Sequence, residues 1–112
     1  MQYRTYKEAM LPQLVRLWKE EAVRIRYKAY DTPEEWKAEL LDKPDFDPEG
    51  CILAFTDSGS LAGFAAAISQ KEFLPGQNRD NTPGYIFLLV VKEEYEGRGV
   101  GSSLLERAEA FL

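Results

Sequence analysis

The last quarter of the chain reads YIFLLVVKEEYEGRGVGSSLLERAEAFL, from Tyr85 to Leu112. A seven-residue apolar run, Tyr85–Val91, meets a charged turn, then three glycines within five residues, then an amphipathic pattern. The apolar run is rich in β-branched and aromatic residues and predicts a strand with both faces covered. Leu104, Leu105, Ala108 and Phe111–Leu112 recur at helical spacing, so a helix starting near Gly99 is predicted to pack on that strand. A strand and a helix joined through glycine leave the helix's first N–H groups unpaired, at the positive end of its dipole. Such a turn is a natural cradle for phosphate or pyrophosphate. Gly97, Gly99 and Gly101 let an anion approach the backbone, and Ser102 and Ser103 offer hydroxyl donors. The competing reading is a glycine-rich helix entry needed only for close packing.

Two nucleotide motifs do not fit. A Walker loop needs lysine after its last glycine, whereas Gly101 is followed by Ser102 and Ser103. A dinucleotide fold places its glycine turn after the first strand of a parallel unit. Here the turn follows a pair of strands that reads as a hairpin. CILAFTDSGSLAGFAAAISQKEF is two apolar runs joined at Asp57–Ser60, a cluster of turn formers.

Upstream, Gln2 to Tyr6 alternates as a short strand, with Tyr3 and Thr5 on one face. Leu11, Leu14, Val15, Trp18, Ala22 and Ile25 then form a helical stripe that Leu17 widens. Pro12 is tolerated only in the first turn, so this helix starts no earlier than about Ala9. A second helix opens at DTPEEW, with Thr32 as N-cap, Pro33 at the first position and Glu35 completing a capping box. Trp36 and Leu40 supply its apolar edge and Pro44 stops it; DKPDFDPEG and LPGQNRDNTPG read as loops. The order β-α-α-β-β-β-α predicts a layered α/β domain, a mainly antiparallel sheet flanked by helices, over residues 1–112.

Composition narrows the chemistry. There is no histidine, which removes serine–histidine and cysteine–histidine catalysis and the usual zinc sites; no metal is expected. The single cysteine, Cys51, begins an apolar run and reads as a buried thiol. A net charge of −5 argues against nucleic acid as partner. No apolar run approaches the roughly 20 residues that span a bilayer, and MQYRTYKEAM lacks the apolar core of a secretory signal. No membrane association is expected, and the expected compartment is the cytoplasm.

The segment VVKEEYEGRGVGSSLLERAEAFL resembles the acetyl-coenzyme A motif of the GCN5-related N-acetyltransferase (GNAT) superfamily. The family pattern Gln/Arg-x-x-Gly-x-Gly/Ala falls on Glu96-Gly97-Arg98-Gly99-Val100-Gly101, and the upstream order of elements is similar to the family's along the whole chain. The resemblance implies that backbone around Val90 and Val91 pairs with the pantetheine arm. It also implies that the amides of Gly97, Arg98, Gly99, Gly101 and Ser102 hold the pyrophosphate of acetyl-CoA, the cosubstrate. The implied activity is N-acetyl transfer to a primary amine of a small molecule or peptide. The alternative is a non-catalytic acyl-CoA-binding or interaction module with a degenerate fold of this kind.

Two departures stand out. Glu96 occupies the position where glutamine or arginine is usual, and it sets a carboxylate beside an anion; Lys92, Arg98 and Arg107 are the cations that would offset it together with Glu93 and Glu94. Family members also continue with a fifth strand and further elements, so residues 1–112 read as the N-terminal part of a single such domain, truncated before the fifth strand. Its open fourth-strand edge favours association, and a homodimer is compatible with that. No catalytic base is assigned, because YIFLLVV holds no carboxylate. Asp31, Glu34, Glu35 and Glu39 are candidate acids near the amine; Tyr27, Tyr30, Trp36, Tyr85 and the Gly76–Gly84 loop are candidate acceptor contacts.

Overall fold

The structure is a computed structural model and describes residues 1–25, 32–69, 73–78 and 84–112. Its elements run β1 (Gln2–Thr5), α1 (Leu11–Ile25), α2 (Pro33–Trp36), β2 (Cys51–Phe55), β3 (Leu61–Ile68), β4 (Tyr85–Val91) and α3 (Val100–Phe111). This is the predicted order. The four strands form one sheet in sequence order, antiparallel at every pairing.

Each strand alternates its side chains between two apolar layers. On one face Cys51, Leu53, Phe64, Ala66, Leu88 and Val90 meet the buried stripe of α1. Of the predicted stripe, Leu11, Leu14, Val15, Leu17, Trp18 and Ala22 are buried as their spacing predicts, and the side chain of Ile25 lies outside the described residues. Trp18, Trp36 and Phe64 pack edge to face around one another, with ring centroids 5.8 to 6.4 Å apart. Ile52, Ala54, Ala65 and Ala67 face the other way, against Val100, Leu104 and Ala108 of α3. In α3 the predicted inner face is narrower than expected: Leu105 and Phe111 are partly covered, and Leu112 is 41% exposed.

The local signals fold as read. Thr32 accepts the Glu35 N–H at 3.2 Å and caps α2, and Pro33 follows it in the first turn. Beyond Trp36 the helix widens into a π turn over Lys37–Leu41, where the Asp42 amide donates to the Lys37 carbonyl at 2.7 Å. The Asp57–Ser60 turn joins β2 to β3, closed by the Thr56 amide donating to the Ser60 carbonyl at 2.8 Å. Cys51 is fully buried, and burial pushes its thiol up to about 12.

β4 departs from expectation. Its composition predicts cover on both faces, yet Tyr85, Phe87 and Leu89 are 57%, 37% and 41% exposed. The cause is its place at the edge of the sheet, paired to β3 alone. An edge strand has half the neighbours that its composition anticipates.

Candidate functional site: the strand edge and the glycine turn

The exit of β4 is built in four steps. The Lys92 amide donates to the Ala62 carbonyl at 2.8 Å, one bond beyond the paired strands. Antiparallel alternation then directs the backbone polar groups of Val90 toward β3 and those of Leu89 and Val91 toward the outer edge. A single 3₁₀ turn, Glu93–Tyr95, reverses the chain, with the Tyr95 amide on the Lys92 carbonyl at 2.9 Å and the Glu96 amide on the Glu93 carbonyl at 3.1 Å. Glu96 to Gly99 then lie exposed at the surface.

Gly97 and Gly99 take φ of 77° and 81°, the left-handed region that costs any side-chain-bearing residue roughly 1–2 kcal/mol. A Cβ at either position would meet nothing within 4 Å. Conformation and an open approach, rather than crowding, therefore explain these two glycines. Gly99 is the N-cap of α3 and supplies no side chain to cap it. The Ser103 amide is bonded to the Gly99 carbonyl at 3.0 Å, and the helix's own bonds begin there. The amides of Val100, Gly101 and Ser102 belong to the first turn, which carries no acidic residue. An anion fits here on conformation, exposure and dipole together.

α3 reaches this position because β3 carries Gly63. A Cβ there would lie 2.6 Å from the Val90 carbonyl oxygen and 3.2 Å from Leu104. Sequence reasoning passed over Gly63; a lone glycine inside an apolar strand was the available signal.

The cations expected beside Glu96 are largely engaged elsewhere. Lys92 pairs with Glu94 at 3.1 Å and reaches Glu20 of α1 at 4.0 Å. Its pKa is raised, chiefly by the hydrogen bond to Glu94. Arg107 lies over the Tyr3 ring at 4.4 Å, and Arg98 over Tyr95 at 5.8 Å. Of the three, only Arg98 belongs to the glycine turn itself.

At the far end of β4 the pairing slips by one residue. Ala66 faces Leu88 and Ala67 faces Ile86, which leaves Phe87 as an extra residue, a β-bulge. Beside it lies a cavity of about 150 Å³ lined by Leu40, Lys43, Asp45, Ile68, Tyr85 and Phe87. The π turn of α2 brings Leu40 to this wall. Tyr85 thus lies on a cavity rim, whereas Trp36 is fully buried and serves the core rather than an acceptor. Glu34 and Glu35 are exposed on α2. Tyr27, Tyr30 and Asp31 lie outside the described residues, as do the side chain of Glu39 and residues 79–83 of the Gly76–Gly84 loop. Among the described residues no cluster of three or more metal-ligating side chains occurs, and no helix is long and apolar enough to cross a membrane.

The site thus combines an antiparallel sheet with helices on both faces, a bulged edge strand and a glycine turn that opens a helix. The family model described as the acetyltransferase (GNAT) family matches residues 11–112, and the chain belongs to that family. Among curated proteins nothing matches. Solved structures share the fold. A GNAT-family acetyltransferase from Staphylococcus aureus superposes with TM-score 0.71 at 15% identity, over 98% of this chain and 65% of that one. A GCN5-related N-acetyltransferase from Sphaerobacter thermophilus gives TM-score 0.71 at 24% identity, over 96% of this chain and 30% of that one. AAC(6')-Iy, in complex with a CoA-S-monomethyl-acetylneamine bisubstrate analogue, gives 0.67 at 18% identity, over 98% of this chain and 69% of its own. The chain thus spans just under two thirds of the length of the first of these structures.

Proposed function

We propose that this chain forms the acetyl-CoA-binding part of an N-acetyltransferase acting on a primary amine of a small molecule or peptide. The observation that carries the reading is the pair of left-handed glycines, Gly97 and Gly99, opening the uncapped N-terminus of α3 directly after an edge strand. The amides of Gly97, Arg98, Gly99, Gly101 and Ser102 hold the pyrophosphate, and the pantetheine arm lies along the outer edge of β4, where Leu89 and Val91 present their backbone polar groups; Val90, expected to share in this pairing, turns its own toward β3 instead. Acetyl-CoA supplies an activated thioester: the amine nitrogen bonds to the acetyl carbon, the carbon–sulfur bond breaks, and the thiolate leaves and takes up a proton. Before attack the amine must give up its own proton, directly or through water.

The residues of this chain explain where that chemistry is delivered. From the glycine turn, β4 runs seven residues to Tyr85, on the order of 20 Å at a strand's rise. A ligand anchored at the turn and extended along the strand therefore points toward the bulge at Phe87. The cavity walled by Tyr85, Phe87, Leu40 and Asp45 lies beside that bulge and offers space for an acceptor. Tyr85 and Phe87 would shield the reacting end from water, which strengthens any dipole aimed at it.

Calorimetric titration with acetyl-CoA, desulfo-CoA and ATP tests the reading, together with thiol release in the presence of a panel of primary amines. Binding of both CoA ligands well above ATP is expected. Gly99→Val should weaken acetyl-CoA binding at least tenfold, about 1.4 kcal/mol, by filling the approach to the turn and straining its φ. Equal affinity for ATP and CoA, or unchanged CoA affinity in a folded Gly99→Val protein, would remove the proposal.

A further inference from the structure

Among its described side chains, α1 is apolar on its inner face with one exception. Glu21 is only 5% exposed, the single buried charged residue among those described. A carboxylate withdrawn from water is costly unless it is bonded, so its position calls for a physical reason. Its Oε1 accepts the backbone N–H of Glu93 at 3.4 Å, across 72 residues of sequence. Glu93 is the first residue past the last sheet bond, which Lys92 makes to Ala62. Its amide opens the 3₁₀ turn Glu93–Tyr95, where no local side chain caps the turn. The neighbouring acid, Glu20, reaches Lys92 Nζ at 4.0 Å. Two successive carboxylates of α1 thus meet two successive residues at the exit of β4, one on a side chain and the other on the backbone.

We propose that Glu21 is a positioning residue for the glycine turn. It caps the Glu93–Tyr95 turn from a distance and so sets the direction in which the chain enters Gly97–Gly99. The bond ends the ladder of β3 and β4 on a rigid helix instead of on solvent, and the amides that follow are held in place before an anion arrives. The order this imposes is order that a bound pyrophosphate need not impose. The inference rests on the reading of that turn as the acetyl-CoA site, and it adds a residue lying some 75 positions upstream of the motif.

Three variants, Glu21→Gln, Glu21→Asp and Glu21→Leu, separate positioning from plain packing. Glutamine keeps an acceptor oxygen at the same reach; aspartate keeps the charge but falls one methylene short; leucine keeps the volume without an acceptor. Amide hydrogen exchange in the free protein is the first readout. Protection of the Glu93 amide and the turn after it should fall in the Asp and Leu variants and persist in Gln. The second readout is affinity: acetyl-CoA should bind roughly tenfold more weakly to the Asp and Leu variants and within about threefold of normal to Gln. Acetyl-pantetheine, which lacks the pyrophosphate, should be unaffected. Should Glu21→Leu fail to fold, Asp against Gln carries the same comparison. Unchanged exchange at Glu93–Gly101 in a folded Asp or Leu variant overturns the proposal, as does an equal loss of affinity for both ligands. Failure of the unaltered protein to bind acetyl-CoA overturns the functional reading instead, and exchange still decides the role of Glu21.

Discussion

Glu96 shows how a single side chain is read differently before and after its surroundings are known. In sequence it is a carboxylate beside an anion site, with Lys92, Arg98 and Arg107 to offset it. In the structure Lys92 is drawn to Glu94 and Glu20, and Arg107 lies over Tyr3. Of the three cations, Arg98 is the one that lies on the glycine turn itself, over the Tyr95 ring. Glu96→Gln is therefore expected to tighten acetyl-CoA binding by roughly two- to fivefold at low salt, with the gain shrinking as salt is raised. Titrations at two ionic strengths, with acetyl-pantetheine as the phosphate-free control, check this. An equal change for both ligands would point to packing instead. Gly97 and Gly99 needed no such revision, because their positive φ follows from what only glycine does without strain.

At the scale of elements, pattern was legible and neighbours were not. The stripe of α1, the Thr32 cap and the Asp57–Ser60 turn are local features, decided by residues within a few positions of one another, and each folds as read. The π turn of α2 and the bulge at Phe87 are not local. Each places one extra residue where packing with another element requires it, and no spacing rule in Lys37–Leu41 or Tyr85–Val91 announces it. Trp36 sits at the junction of α2 with the core, in edge contact with Trp18 and Phe64. Trp36→Ala should cost about 3–5 kcal/mol, read as a shift in the urea midpoint at unchanged slope. At β4, exposed Leu89 adds an apolar side chain to an open edge. Leu89→Lys should lower self-association in sedimentation velocity while the melting temperature changes little, because the side chain loses little burial.

For the whole molecule, two groups in one layer couple stability to pH. Burial raises the Cys51 thiol from 9.0 to about 12 and the Tyr6 hydroxyl from 10.0 to about 12. Between those limits the unfolded chain has released protons that the folded chain retains. Stability is thus complete below about pH 9 and falls as pH rises toward 12. The raised Lys92 acts in the same direction. Urea midpoints should change little between pH 7 and 8 and fall by pH 10.5, and Cys51→Ala, though less stable at pH 7, should decline less steeply. A flat profile in the unaltered protein would contradict this account of the core.

What the sequence alone determined is everything that depends on neighbours along the chain: the order of seven elements, their caps and turns, the amphipathic faces, and a glycine turn suited to an anion. Short-range sterics and periodicity act within a few residues, so they can be read without a partner in view. The tertiary structure decided which strand became an edge, and so which apolar residues of β4 stayed exposed. It also decided that Gly63 admits Leu104, that Lys92 and Arg107 turn to other partners, and that Glu21 meets the amide of Glu93. Those outcomes depend on contacts between residues far apart in sequence. A single chain of letters carries no record of such pairings, because they are set by how the layers pack.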